Sequence, residues 1–136
     1  TLAFLLESKV DPNTSNASKQ TLLHLAAEAG QEQNVQCLLQ HGAKINAQDL
    51  AKQTPLFLAV IQNHVSIVKL LIQKKADPTL ANEEKETILH GAVTYNHRQL
   101  LEELLVHPAC KGLVEAKDSD GKTPLHKAVW GSPKPN

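Results

Sequence analysis

An all-α solenoid (an α-α superhelix) of stacked helix-turn-helix units is the fold class that this sequence of 136 residues predicts, on three observations. Four starts, Thr21-Leu-Leu-His24, Thr54-Pro-Leu-Phe57, Thr87-Ile-Leu-His90 and Thr123-Pro-Leu-His126, return at spacings of 33, 33 and 36 residues. Small Ala follows each start, in Leu25-Ala26-Ala27, Leu58-Ala59-Val60, Gly91-Ala92-Val93 and Lys127-Ala128-Val129. A second apolar block comes next, at 35–39, 67–72 and 100–106. A fixed period of this length marks one supersecondary unit used repeatedly, each copy burying its apolar face against the next.

Each element has a local reason. Thr at a helix start offers its hydroxyl as a cap, and Pro at the first helical position gives up only an amide hydrogen that would be orphaned anyway. Ala at the centre of the short first helix lets a neighbour approach closely. The second helix is richly apolar: Ile67, Val68, Leu70, Leu71 and Ile72 leave little solvent face, so it needs neighbours on two sides. Gly30 and Gly42 suit the positive φ that ends helices sharply, and Asn63 and Asn96 tolerate it. Lys9 and Lys75 at comparable places are expected to be strained or differently turned.

In chain order, the whole of 1–136 forms one domain: a partial repeat at 1–20, full repeats at 21–53, 54–86 and 87–122, and a partial repeat at 123–136. Residues 1–10 read as a second helix whose first helix is missing. The third full unit is irregular. Its stretch 107–113 is three residues longer than its counterpart, Pro108 is expected to stop the second helix early, and Glu103 falls where Phe4, Cys37 and Leu70 stand in the earlier units. The longer loop reads either as surface variation or as a partner-specific contact. Terminal units need polar outer faces, yet Leu2, Leu5 and Leu6, with Leu125, Ala128 and Val129, look like core. Together with a Thr1 start and the absence of Met, this suggests a piece of a longer protein.

The chain resembles the ankyrin repeat family. Thr123-Pro124-Leu125-His126-Lys127-Ala128, preceded by Asp118 and Gly121, is close to the family pattern, as is His41-Gly42-Ala43-Lys44-Ile45-Asn46-Ala47. The resemblance implies antiparallel helix pairs in an L, with β-hairpin fingers near 11–20, 44–53, 77–86 and 114–122. It also implies that His24, His90 and His126 tie each repeat to its neighbours through hydrogen bonds, in a ladder that Phe57 interrupts.

Composition narrows the function. Fourteen basic and fourteen acidic side chains cancel, so no global field draws the chain to nucleic acid or an anionic membrane. Two Cys cannot make a disulfide framework, and no apolar run reaches bilayer length, which points to the cytoplasm, with the nucleus as the alternative compartment. No catalytic or metal motif is present. His41 with Cys37, and His107 with Cys110, lack the further ligands of a zinc site. Gly121-Lys122-Thr123 imitates the end of a phosphate loop, but Ala116 stands where that loop needs Gly and Pro124 follows. Asn13-Thr-Ser15 and Asn16-Ala-Ser18 are formal glycosylation sequons, meaningful only in a secreted chain. The expectation is a non-enzyme with no cofactor, no metal, no small-molecule substrate and no membrane insertion.

The resemblance implies protein recognition, and a stack of units presents a concave face of first helices and finger tips. The expected contact residues are Leu50, Ala51 and Gln53; Glu83, Glu84 and Glu86; Ser119, Asp120 and Lys122; and, along the first helices, Ile61, Thr94, Tyr95 and Trp130. Trp and Tyr concentrate binding energy at interfaces. Trp130 alternatively folds back over the C-terminal end, and the three glutamates read either as a solvated finger or as an acidic patch for a basic peptide. The partner expected is another protein or a peptide segment, within a larger protein; a structural spacer between other domains is the alternative.

Overall fold

The computed structural model describes residues 11–130; the helix expected within 1–10, with Lys9, lies outside them. The chain forms α1 (Leu22–Ala29), α2 (Glu32–Gln40), α3 (Pro55–Ile61), α4 (Val65–Gln73), α5 (Ile88–Thr94), α6 (Arg98–Val106), a 3₁₀ segment (Pro108–Glu115) and α7 (Pro124–Trp130). In the three full units each short first helix packs on the second helix of its own unit, and the first helices stand side by side in the row α1, α3, α5, α7. The second helices α2 and α4 touch more sparingly. With α1 on one flank and α5 on the other, α3 buries every residue from Pro55 to Val60.

The four starts work as their residue types predict. The Thr54 hydroxyl accepts the Phe57 amide at 3.1 Å, with Pro55 in the first turn. In the units with His, the ring closes the cap: His24 Nδ1 accepts the Thr21 amide at 3.1 Å, and His90 and His126 repeat this with Thr87 and Thr123 at the same distance. Beneath them one apolar core runs through the three full units, with Leu23, Leu38, Leu56, Ile67, Leu71, Ile88, Leu89, Leu100 and Leu104 almost wholly buried. Each such side chain contributes roughly 1.5–3 kcal/mol.

Helix exits follow the period too. After the first helices, Gly30, Asn63 and Asn96 take φ of 77°, 60° and 58°; after the second helices, Gly42 and Lys75 take 92° and 74°. Lys75 therefore adopts the strained conformation rather than avoiding it. Its counterpart one period on is Pro108, whose ring forbids positive φ and pushes His107 to extended backbone, φ −79° and ψ 130°. The expected early stop is not seen, since α2, α4 and α6 each have nine residues. What changes is the exit, which runs into the 3₁₀ segment. That segment is not mere surface variation: it buries Cys110 and Leu113 against the core.

The fingers depart from the β-hairpin expectation. Among the described residues no strand ladder forms, only a single antiparallel bridge between Ser15 and Thr21. Each finger is closed instead by a side chain. The Oδ1 of Asn16, Asp49, Asn82 and Asp118 accepts two backbone amides, two and four residues on, at 2.8–3.0 Å. This turn puts the residue three past the staple at positive φ. Gly121 fills that place cheaply, but Lys19, Lys52 and Lys85 occupy it at 62°, 63° and 62°, each at a backbone cost of roughly 1–2 kcal/mol, which glycine's greater freedom in the unfolded chain would partly offset.

At the C-terminal end the core-like Leu125 and Val129 are each 69% exposed and Ala128 is also exposed. They belong to α7, which packs on α5 and the 3₁₀ segment, with no further helix beside it among the described residues.

Candidate functional site

The finger tips are fastened to one another. The Leu50 amide donates to the Ser18 carbonyl at 3.0 Å, Glu83 to Ala51 at 2.9 Å, and Ser119 to Glu84 at 2.8 Å. Four turns far apart in sequence thereby become one backbone edge. Their bases are joined as well: Asn13 Oδ1 accepts the Lys44 amide at 2.8 Å, and Asn46 Oδ1 accepts the Asp77 amide at 2.9 Å.

Histidines join the units at both ends of the first helices. At the finger end, Nδ1 of His24 already accepts the Thr21 amide, so the ring proton lies on Nε2, which donates to the Gln53 carbonyl at 2.8 Å. His90 does the same with Lys122 at 2.8 Å. At the far end, His64 Nε2 meets the Glu28 carbonyl at 3.0 Å and His97 meets the Ile61 carbonyl at 2.7 Å. The His64 ring lies so close to Gly30 that a Cβ there would come within 2.8 Å of it. As expected, Phe57 interrupts the first ladder, buried in the core.

The expected contact residues fall into three groups. Leu50, Glu83, Glu84, Ser119 and Asp120 are exposed on the linked edge, with Ala51 half-buried among them. Tyr95 is 53% exposed and stacks on His97 with ring centroids 6.2 Å apart. It ends the seven-residue α5, about 10 Å along the helix axis from the finger end, so it does not cluster with the tips. Glu86, Gln53, Lys122 and Ile61 are more committed internally, while Thr94 is exposed. Glu86 is half-buried and ion-paired to Lys127, whose ammonium also lies 3.9 Å from Asp118 and 3.4 Å from Thr94 Oγ1. Gln53, Lys122 and Ile61 are half-buried and lend their carbonyls to the histidine bonds. Trp130 ends α7, and its side chain lies outside the described part of the structure.

Two groups shape the local electrostatics. Burial alone would raise the Asp118 carboxyl, but the amides of Lys122 and Asp120, with the His90 ring and Lys127 nearby, outweigh it and hold the group below its ordinary value. Burial pushes the Cys110 thiol up. On the opposite face, Lys69 and Glu103 pair at 3.2 Å beside a groove floored by Val68, Ile72, Leu100 and Leu104.

Among the described residues, no three His, Cys, Asp or Glu side chains converge on a point that would hold a metal ion. His41 Nδ1 donates to the Cys37 carbonyl at 2.8 Å, with the thiol 3.8 Å away. Gly121 closes a turn at φ 78°. The sequon residues are engaged: Asn13 spans to Gly42 and Lys44, and Asn16 staples its own turn. No described helix is long and apolar enough to cross a membrane.

The staples at 16, 49 and 82, the lysines at 19, 52 and 85, and the pair His64 and His97 were not singled out from sequence, where Asp118 entered only through the family pattern. Their signal is present, since all return at the same period as the Thr starts.

A family model described as ankyrin repeats (3 copies) matches residues 1–82. No curated protein matches the chain.

Proposed function

The chain belongs to the ankyrin repeat family, and from that premise we propose that it is a non-catalytic module, part of a larger intracellular protein, that binds a partner protein or peptide on its first helices and finger tips. Ankyrin repeats are generally protein–protein interaction modules and typically non-catalytic. The observation that carries the reading is the fastened edge: the bonds from Leu50 to Ser18, Glu83 to Ala51 and Ser119 to Glu84 hold exposed side chains from four units on one backbone. A surface locked before binding loses little ordering entropy when a partner arrives. Tyr95 adds an aromatic side chain already steadied against His97. Leu50, Ala51, Glu83, Glu84, Ser119, Asp120, Tyr95 and Trp130 are the proposed contacts, with Glu86 supporting the third finger through Lys127.

The test is the triple variant E84A/Y95A/W130A in a partner-capture assay, alongside its circular dichroism melt. Loss of capture with an unchanged melt supports the assignment; full capture removes it.

A further inference from the structure

Lys127 shows how this fold seats an ammonium at the junction of two units. From α7 it ion-pairs with Glu86 of the preceding unit and lies 3.9 Å from Asp118 and 3.4 Å from the Thr94 hydroxyl, with 19% of its side chain exposed. Counted from the Thr that opens each first helix, these residues hold fixed places. Lys127 is four after Thr123 and Asp118 five before it, while Glu86 is one before Thr87 and Thr94 seven after it. Equivalent places of a repeat array have equivalent surroundings.

The same four places recur at two earlier junctions. Between α3 and α5 they hold Gly91, Asn82, Gln53 and Ile61, a set without charge. Between α1 and α3 they hold Leu58, Asp49, Gln20 and Glu28. Here two carboxylates meet a leucine, which ends short of where Lys127 carries its ammonium. Asp49 is 8% exposed. Its Oδ1 accepts the Ala51 and Gln53 amides, and its Oδ2, counterpart of the oxygen that faces Lys127, has no hydrogen bond or ion pair among the described residues. The half-buried Glu28 carboxylate has none either. Gln20 is held as Glu86 is: its Oε1 accepts from Asn16 at 3.3 Å, as Glu86 Oε1 accepts from Asn82 at 3.2 Å.

Other charges near this junction do not fill the place. Lys19 and Lys52 stand exposed at the finger tips and pair with neither carboxylate. The His24 ring is engaged by the Thr21 amide and the Gln53 carbonyl. Water screens a charge at an exposed tip, whereas a buried carboxylate oxygen needs a partner in contact.

We propose that this junction, within the protein-binding role described above, is the seat for one lysine side chain of the partner. Its ammonium takes the place that Lys127 fills at the last junction, between Asp49 Oδ2 and the Glu28 carboxylate, in charge-assisted hydrogen bonds. Its aliphatic stem lies over Leu58 and Leu25, of which Leu25 is 41% exposed.

Amide NMR shifts of the full chain test this with the tripeptide acetyl-Ala-Lys-Ala-amide, titrated to millimolar concentration against a control carrying norleucine in place of Lys. The amides of Ala51 and Gln53, which donate to Asp49, are expected to shift to saturation with the lysine peptide and not with the control, and less as salt rises. Those of Glu84 and Glu86, which donate to Asn82 at the uncharged junction, are expected to stay in place. The D49N/E28Q variant is expected to bind at least tenfold more weakly with an unchanged melt, since Asn16 and Asn82 show that an amide oxygen closes the same turn. The proposal is overturned if Ala51 and Gln53 do not respond, if the norleucine peptide shifts them equally, if D49N/E28Q binds like the parent chain, or if calcium chloride at the same concentration produces the same shifts. The E84A/Y95A/W130A variant leaves this junction intact and is expected to keep the lysine response whether or not it captures a partner, so the two readings fail separately.

Discussion

His24 of one unit donates through Nε2 to the carbonyl of Gln53 in the next, at 2.8 Å, while its Nδ1 takes the amide that opens its own helix. One ring thus caps a helix and fastens two units. Replacing His24 by Ala takes the ring partner from the buried Thr21 amide, removes the bond between units at Gln53, whose carbonyl keeps only the Asp49 amide, and opens a cavity. A loss of about 2–4 kcal/mol is expected, read as a lower urea midpoint. His90→Ala is expected to cost a similar amount, because His90 repeats the geometry with Lys122.

Gly91 lies inside α5, and a Cβ built there would meet Phe57 and Ile61 at 3.7–3.8 Å, ordinary contact distances. Gly91→Ala is therefore expected to stabilise the chain by about 0.5–1 kcal/mol through the reduced freedom of the unfolded state. A thermal melt that falls would mean that the space beside Phe57 is tighter than described.

The finger turns predict substitutions of opposite sign. Lys52→Gly relieves a residue at φ 63° and is expected to gain about 0.5–1 kcal/mol. Gly121→Ala, at φ 78° with open space around it, is expected to lose about 1 kcal/mol. Paired denaturation curves check both directions.

Asp118 supplies the pH dependence. Its folded value lies below the unfolded one, so the stability it adds is present above the unfolded value, about pH 3.9, and is lost as pH falls through the folded value. Asn16 and Asn82 hold the same turn with an amide oxygen. Asp118→Asn is therefore expected to keep the fourth finger closed while flattening the acid limb. Urea midpoints at pH 5 and pH 3 read this: the parent loses more between them than the variant does.

Much of the stack was legible because Thr, Ala and the apolar doublets recur with a period that only packing explains. Positive φ at Gly30, Asn63 and Asn96 was legible from residue type. Lys19, Lys52 and Lys85 were not, since propensity points away from that conformation and only the Asx staple imposes it. Pro108 was identified as the irregular residue with the wrong consequence: it denies the chain a positive-φ exit rather than shortening α6. At the candidate site, the exposure of Leu50 and Tyr95 followed from their register. The ion pair of Glu86 with Lys127 joins residues in different units, and no local pattern announces it.

Ser18, Leu50, Ala51, Glu83, Glu84 and Ser119 form one hydrogen-bonded edge, the proposed docking surface for a partner. Amide hydrogen exchange tests it most directly. The amides of Leu50, Glu83 and Ser119 donate to neighbouring tips although their side chains face solvent, and they are predicted to exchange at least tenfold more slowly than the amide of exposed Ala17, which donates to no other tip among the described residues. Exchange of all four at the rate of an unstructured peptide would contradict it.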